Sequence, residues 1–319
     1  KSLYAGTEEG ADVILKRIKG LIDQKAELNI RNQQGDTLLI TATLKNDLET
    51  VSLLISAGAD VNLKSTKDGL TPLMVAVYNG NPDLVDLLLS KKADVNAATP
   101  DGQTALLMAV EQEDLELANK LVEKGADVNY RDPKTGINAM LLATSLGDLD
   151  MAKFLFSSKA KINDSDQEGN TPLMIASAND DAEMVSWLIE NGAEVNTKIA
   201  SKGVVTDSKK AGEDEKLVAK GVASAPQKTT AVSPLMIAVY SGNPDTVRLL
   251  VEKGAKINEA GKDGLTPLII AARDGNYEVA KMLIDKGADV NSQTGTGATA
   301  LMYASFLAGN KEVVKLLID

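Results

Sequence analysis

The side chains that could do chemistry in this chain are carboxylates, lysines and hydroxyls, because its 319 residues include no Cys and no His. The absence of thiols excludes disulfides, thiolate nucleophiles and Cys-ligated zinc, and the absence of imidazole excludes a Ser/His/Asp triad. An enzyme would have to use carboxylates, Lys, Ser or Tyr, for example a pair of carboxylates acting as general acid and base. The 45 Asp and Glu residues fall at repeated positions and on faces that we expect to be solvated. We therefore predict no enzyme and keep a carboxylate-based enzyme as an alternative.

A possible metal-binding string is D-S-D-Q-E-G at residues 164–169, which has the pattern of the first half of a calcium loop. The twelfth position of such a loop needs an acid, and Ile175 stands there. The glycine motifs that hold nucleotide phosphates do not occur in a supporting context. We therefore expect neither a metal nor a cofactor.

The charge balance of the chain limits its partners. There are 45 acidic and 34 basic residues, for a formal net charge of -11. Binding to nucleic acid or to an anionic membrane surface needs a basic face, so we expect no nucleic acid and no membrane as partner. No apolar run approaches the 18 residues of a membrane span.

Two short motifs recur along the chain with a common period of 33 or 34 residues. One ends in A-x-[VIL]-N, and the other is T-P-L-x-x-A, as at residues 71–76. A single spacing departs from the period, the 62 residues between the sixth and seventh Asn. Because two independent motifs share one period, the chain is built of repeated structural elements. The Asn residues are Asn29, Asn62, Asn96, Asn129, Asn163, Asn196, Asn258 and Asn291.

Each repeat has the composition of a turn and two antiparallel helices. Thr before Pro, as at Thr71, suits the N-cap and first position of a helix. A second helix follows with apolar residues at helical spacing and ends at a Gly such as Gly125, which can adopt the left-handed conformation. Lys25, Lys92 and Lys159 stand where that Gly is expected, at a cost of about 1 kcal/mol each.

The motifs T-P-L-x-x-A and L-L-x-x-G-A-D-V-N resemble those of the ankyrin repeat family, in a bacterial-type chain of about nine repeats. The resemblance covers nearly the whole chain and implies an all-α repeat solenoid, a stack of helix pairs with protruding β-hairpin loops. Where the family usually has His after T-P-L, this chain has apolar residues, so we expect stacking to depend more on burial than on side-chain hydrogen bonds. We expect these residues in the core: Ile40, Met74, Leu107, Leu141, Met174, Met236, Ile269 and Met302.

We predict a single ankyrin repeat domain over residues 1–319. It comprises a divergent N-terminal repeat at 1–31, five repeats at 32–196, an inserted extended loop at 197–232 and three repeats at 233–319. The insertion carries seven Lys and four acids. It is either a disordered surface loop or a basic arm for an acidic patch on a partner.

The resemblance also implies where a partner would bind. Partners of the family usually contact the hairpin tips and the concave face formed by the first helices. Exposed aromatic residues and Arg are typical interface anchors, although each aromatic could instead pack over its neighbour. The predicted contacts are Tyr78, Glu111, Tyr240, Arg273 and Phe306 on the concave face, Asp68, Asp101, Tyr130 and Arg131 at the tips, and Lys209 and Lys210 in the insertion.

The predicted function is non-enzymatic binding of a folded protein partner by a protein that is a monomer when free. By analogy with bacterial members of the family, we expect an inhibitor or immunity-type partner of an exported enzyme. A cytosolic or host-directed adaptor or scaffold is the alternative. The absence of Cys favours a periplasmic or otherwise exported bacterial protein over a cytoplasmic one. The chain starts at Lys1 without Met, which is compatible with a removed targeting segment.

Overall fold

A computed structural model describes residues 11–24, 26–200, 231–306 and 310–319. This part of the chain holds seventeen helices and two strands of two residues each, which confirms the all-α repeat stack. None of the described helices has the length and apolar character needed to cross a membrane.

The helices alternate between the first and the second helix of a repeat, after a single helix at the N-terminal end. In chain order they are α1 (Ala11–Asp23), α2 (Leu38–Leu44), α3 (Leu48–Ser56), α4 (Pro72–Tyr78), α5 (Pro82–Ser90), α6 (Ala105–Glu111), α7 (Leu115–Glu123), α8 (Ala139–Leu146), α9 (Leu149–Ser157), α10 (Pro172–Asn179), α11 (Ala182–Glu190), α12 (Pro234–Ser241), α13 (Pro244–Glu252), α14 (Pro267–Asp274), α15 (Tyr277–Asp285), α16 (Ala300–Phe306) and α17 (Lys311–Ile318).

The repeats group into two compact units. Unit 1 comprises Lys1–Lys134 and Lys153–Ala160, and unit 2 comprises Thr135–Ala152 and Lys161–Asp319. The assignment of the whole chain to a single domain stays a prediction.

The first helices begin at the predicted caps. The hydroxyl of Thr71 accepts a hydrogen bond from the backbone N–H of Met74 at 3.2 Å. In the degenerate copies of the motif, the side chains of Asn138 and Ser233 accept the equivalent bond. These bonds satisfy N–H groups that have no partner within the helix, so one local contact fixes where each first helix starts.

The apolar residues that replace His are core residues in seven of the eight repeats. Met74, Met174 and Met236 are each 1% exposed, and the others up to Ile269 are also buried. Met302 contradicts the prediction, since it is 54% exposed. In earlier repeats the first helix of the following repeat packs against the helix that carries this residue, whereas the described residues hold no such helix beside α16 on that side.

Side-chain hydrogen bonds from the repeated Asn residues also join neighbouring repeats. In unit 1 the amide of Asn96 donates to the carbonyl of Gly125 at 2.9 Å, and its Oδ1 accepts from the N–H of Asp127 at 2.8 Å. In unit 2 Asn258 makes the same pair of bonds with Gly287 and Asp289. A second polar position, outside the T-P-L motif, therefore joins the repeats in addition to the buried apolar residues. The expectation that stacking depends more on burial than on side-chain hydrogen bonds stays a prediction.

Consecutive hairpin turns in unit 1 lie directly against one another. A Cβ atom on Gly69 would lie 2.3 Å from Cδ of Pro100, and one on Gly102 would lie 2.3 Å from a carboxylate oxygen of Asp132. Both glycines also have positive φ. The absence of a Cβ at these glycines therefore allows both the positive φ of the turn and the close approach of the next hairpin.

Two of the three Lys residues at expected Gly positions do adopt the left-handed conformation. The φ angle is 65° at Lys92 and 74° at Lys159. Lys25 lies outside the described residues.

The insertion leaves and rejoins the stack through a short antiparallel pair of strands. Strand β1 (Ile199–Ala200) pairs with β2 (Ala231–Val232), with Ile199 opposite Val232. Beside this pair, Nζ of Lys198 lies 3.0 Å from a carboxylate oxygen of Glu259. The predicted contacts Lys209 and Lys210 lie outside the described residues.

Candidate functional site

The calcium-like string at residues 164–169 is a hydrogen-bonded turn. One carboxylate oxygen of Asp166 accepts from the N–H groups of Glu168 and Asn170, at 2.9 and 2.8 Å. Its other oxygen accepts from the side chain of Asn170 at 2.8 Å. The turn thus uses the oxygens that a cation would need, and the described residues contain no cluster of acids suited to a metal ion.

The predicted concave-face contacts in unit 1 lie at the last turn of the first helices. We call Leu44, Tyr78 and Glu111 the unit 1 row, because each stands seven residues after the cap of its helix. Tyr78 is 71% exposed and Leu44 47% exposed. Glu111 is exposed as well. The row therefore presents an aromatic ring beside an aliphatic and an acidic side chain.

Three of the equivalent positions in unit 2 are Tyr240, Arg273 and Phe306, which we call the unit 2 row. The guanidinium carbon of Arg273 lies 5.4 Å from the centre of the Tyr240 ring, within the range of a cation–π interaction. Nε of Arg273 also donates to the carboxylate of Asp274 at 3.0 Å. The side chains of this ion pair are only 12% and 11% exposed.

Tyr78 and Tyr240 share the sequence V-Y-x-G-N-P-D yet differ in their surroundings. Tyr240 is partly buried under Arg273, which follows it by 33 residues, whereas the residue 33 positions after Tyr78 is Glu111. Phe306 is partly buried. Sequence reasoning did not identify the contact between Arg273 and Tyr240. The two residues are one repeat period apart, and this spacing could have indicated that they lie side by side.

At the hairpin tips of unit 1, the predicted contact Asp101 lies beside an oppositely charged side chain. Nζ of Lys134 donates to the carboxylate of Asp101 at 2.6 Å, and both side chains are exposed. Asp68 closes its own turn by accepting from the N–H of Leu70. Both Asp68 and Arg131 are exposed.

Tyr130, the remaining predicted tip residue, is partly buried. Burial raises the pKa of its phenol, and the negative charge of Asp132 raises it further. Both effects favour the protonated phenol, which can donate a hydrogen bond.

Sequence reasoning also missed Glu113, which follows α6 in the left-handed conformation with φ of 56°. Four other repeats have Gly at the equivalent position, as at Gly80 and Gly242. Between Glu111 and Glu113, the side chain of Gln112 donates to the carbonyl of Tyr78 at 3.5 Å. Two carboxylates therefore flank a residue that touches the end of the Tyr78 helix. The sequence signal that could have identified Glu113 is an acidic residue at a position where other repeats have Gly.

Comparison with known proteins agrees with the repeat geometry. The family model for ankyrin repeats matches residues 11–99, 64–132, 106–199, 215–294 and 235–319. The NF-kappa-B inhibitor cactus of Drosophila melanogaster is 35% identical over 74 residues, which are 23% of this chain and 15% of that protein. The B-cell lymphoma 3 protein homolog of Mus musculus is 41% identical over 71 residues, 22% of this chain and 16% of that protein.

A third relative is the 2-5A-dependent ribonuclease of Mus musculus, which is 43% identical over 74 residues. The match covers 22% of this chain and 10% of the ribonuclease. The matched segments thus span no more than 16% of the length of these three relatives.

Proposed function

Since the chain belongs to the ankyrin repeat family, it is a protein–protein interaction module, and we propose that it binds and inhibits an exported bacterial enzyme. Ankyrin repeats are in general a non-enzymatic scaffold. We further propose that the partner is an enzyme, that binding inhibits it, and that both act in an exported location. The chain itself is a monomer when free.

The observation that carries a binding role is the exposure of Tyr78. The side chain of Tyr78, at the last turn of α4, is 71% exposed. Its neighbour in the unit 1 row, Leu44, is 47% exposed. Exposed aromatic residues on a rigid helix are typical anchors of protein interfaces, because they bury a large area at a small entropic cost. The equivalent positions in other repeats carry Glu111 and Ser145, so the repeat itself does not require an aromatic residue there.

Inhibition rather than scaffolding is supported by an analogy and by the attachment of the insertion to the stack. The cactus relative is named as an inhibitor of NF-kappa-B. In this chain, β1 and β2 fix both ends of a Lys-rich insertion to the stack. A basic insertion whose two ends are held to the stack would suit the blocking of an acidic site on a partner.

The test is capture of the partner with the immobilised chain from an extract of the source cells, followed by mass spectrometry. We expect a bound enzyme whose turnover falls when the purified chain is added at equimolar concentration. Capture of a protein whose activity is unchanged would contradict inhibition and favour an adaptor or scaffold.

The alternatives differ in further measurable ways. A signal peptide in the full gene would support export, whereas a gene without one would favour the cytosolic or host-directed adaptor. Turnover of a substrate by the purified chain itself would instead favour the carboxylate-based enzyme.

A further inference from the structure

We propose that Tyr78, together with Glu111 and Glu113, binds an arginine side chain of the protein partner. This inference rests on the proposed function, since it names the chemistry that a partner must present to the unit 1 row. In the unit 2 row the chain itself supplies such an arginine.

Unit 2 shows what an arginine does at this position of the repeat. Arg273 lies over the ring of Tyr240, 5.4 Å from its centre, and its Nε donates to Asp274 at 3.0 Å. The aromatic ring and the carboxylate together bind one guanidinium, by cation–π attraction and by a charge-assisted hydrogen bond.

Unit 1 has the ring and the carboxylates but not the guanidinium. Tyr78 occupies the position of Tyr240, and the residue one repeat later is Glu111 instead of an Arg. The hydrogen bond from Gln112 to the carbonyl of Tyr78 shows that the ends of α4 and α6 lie against each other. Glu111 stands at the position from which Arg273 reaches the ring of Tyr240 in unit 2. Glu113 lies two residues further along the chain, and both carboxylates are exposed.

These two carboxylates lie where the repeat disfavours them. Glu111 is the last residue of α6, where the helix dipole repels a negative charge. Glu113 has φ of 56°, a conformation that Gly adopts without strain in other repeats. Among the residues that the structure describes, none forms an ion pair with either Glu. A bound cation would therefore relieve the repulsion between the carboxylate of Glu111 and the C-terminal end of α6.

The geometry favours arginine over lysine. A guanidinium is planar, stacks on an aromatic ring and can still donate in its plane to carboxylates, whereas an ammonium is a compact and strongly hydrated point charge. Leu44 borders Tyr78 on the other side of the row and is 47% exposed. An apolar residue next to the arginine in the partner would contact Leu44.

The probe for this site is the tripeptide acetyl-Leu-Arg-Leu-amide, titrated into the full-length protein labelled with 15N. We expect saturating chemical-shift changes at the amides of residues 77–79 and 110–113. The peptide acetyl-Leu-Lys-Leu-amide should bind about threefold more weakly, as expected for the loss of stacking.

Two variants test the assignment without disturbing the core. Tyr78→Ala removes the exposed ring, and Glu111→Arg places an arginine one repeat after Tyr78, as Arg273 stands after Tyr240. Both should abolish the shifts, the second because the chain then occupies its own site. Tyr240→Ala is the matched control and should leave the shifts at residues 77–79 and 110–113 unchanged. Equal binding by the Tyr78→Ala variant, equal affinity for the two peptides, or no shifts at these residues would overturn the proposal.

Capture of the partner separates this proposal from the proposed function. A partner bound equally by wild type and Tyr78→Ala, with no response to the arginine peptide, would overturn the arginine site and leave the binding function standing. Specific binding of the peptide with no partner captured would support the arginine site and count against the proposed function.

Discussion

The side-chain amide of Asn196 donates a hydrogen bond to the carbonyl of Gly254 at 3.1 Å, although 58 residues separate them. The Oδ1 atom of Asn196 accepts from the N–H of Lys256 at 2.9 Å. Asn96 makes the same two bonds with residues only 29 and 31 positions away. In unit 2, the repeats before and after the insertion are therefore joined like consecutive repeats.

This equivalence predicts equal effects of removing the Asn side chain at the two junctions. Asn196→Ala and Asn96→Ala each delete two inter-repeat hydrogen bonds, and each should lower the free energy of unfolding by about 1 to 2 kcal/mol. Urea unfolding followed by circular dichroism measures both. A neutral Asn196→Ala beside a destabilising Asn96→Ala would show that the junction across the insertion is held by other contacts.

The insertion should be dispensable for folding. Ala200 and Ala231 are paired across the antiparallel strands, so replacing residues 201–230 with Asn-Gly should close a two-residue hairpin there. We expect the thermal midpoint to change by less than about 3 °C, because the bonds of Asn196 remain. A large fall in the midpoint would mean that the insertion packs against the repeats.

Replacing Lys92 by Gly should stabilise the protein by about 1 kcal/mol, because Lys92 is held in the left-handed conformation. Lys159→Gly should have a similar effect. Lys91, whose φ is -97°, is the matched control, and Lys91→Gly should bring no gain. Denaturant midpoints compare the three variants, and a gain at Lys91 equal to that at Lys92 would refute the backbone explanation.

The two tyrosines of the shared V-Y-x-G-N-P-D sequence should differ in their contribution to stability. Tyr240→Ala removes the ring beneath Arg273 and should cost about 0.5 to 1 kcal/mol or more. Tyr78→Ala removes a ring that is 71% exposed and should change stability by less than about 0.5 kcal/mol. Thermal unfolding of the two variants distinguishes them, and equal losses would contradict the structural difference.

The titration of Tyr130 should move when the charge of Asp132 is removed. Burial is the larger cause of its raised pKa and the charge of Asp132 the smaller one, so Asp132→Asn should lower the pKa in part. The asparagine oxygen can still accept the bond from the N–H of Lys134. Nuclear magnetic resonance of 13C-labelled Tyr measures the change, and an unchanged or higher pKa would rule out the charge effect.

The raised pKa of Tyr130 also sets the direction of its contribution to stability with pH. The folded protein holds the phenolic proton more tightly than the unfolded chain does. The resulting stabilisation is complete below the ordinary pKa of tyrosine and is lost as the pH rises through the higher pKa of the folded state. Unfolding midpoints of wild type and Tyr130→Phe should therefore diverge in alkaline buffer, with the wild type losing more. Parallel curves would exclude this linkage.

Local chemistry explains which features could be predicted from the sequence. A Thr at an N-cap, a Pro at the first helical position and a Gly in the left-handed conformation act through bonds or angles within a few residues. Their recurrence at one period was enough to predict the helix pairs and the buried positions such as Met74 and Ile269. The recurrence also predicted the left-handed conformation at Lys92 and Lys159.

Only the tertiary structure decided which side chains meet across neighbouring repeats. The stacking of Arg273 on Tyr240, the exposure of Tyr78 and of Met302, and the hydrogen bonds of Asn96 and Asn196 all depend on what the next repeat places beside a given residue. Local motifs define each repeat through contacts within a few residues, whereas a side chain is covered or left exposed by residues of the neighbouring repeat. Identical local sequences can therefore leave a tyrosine covered in one unit and exposed in the other.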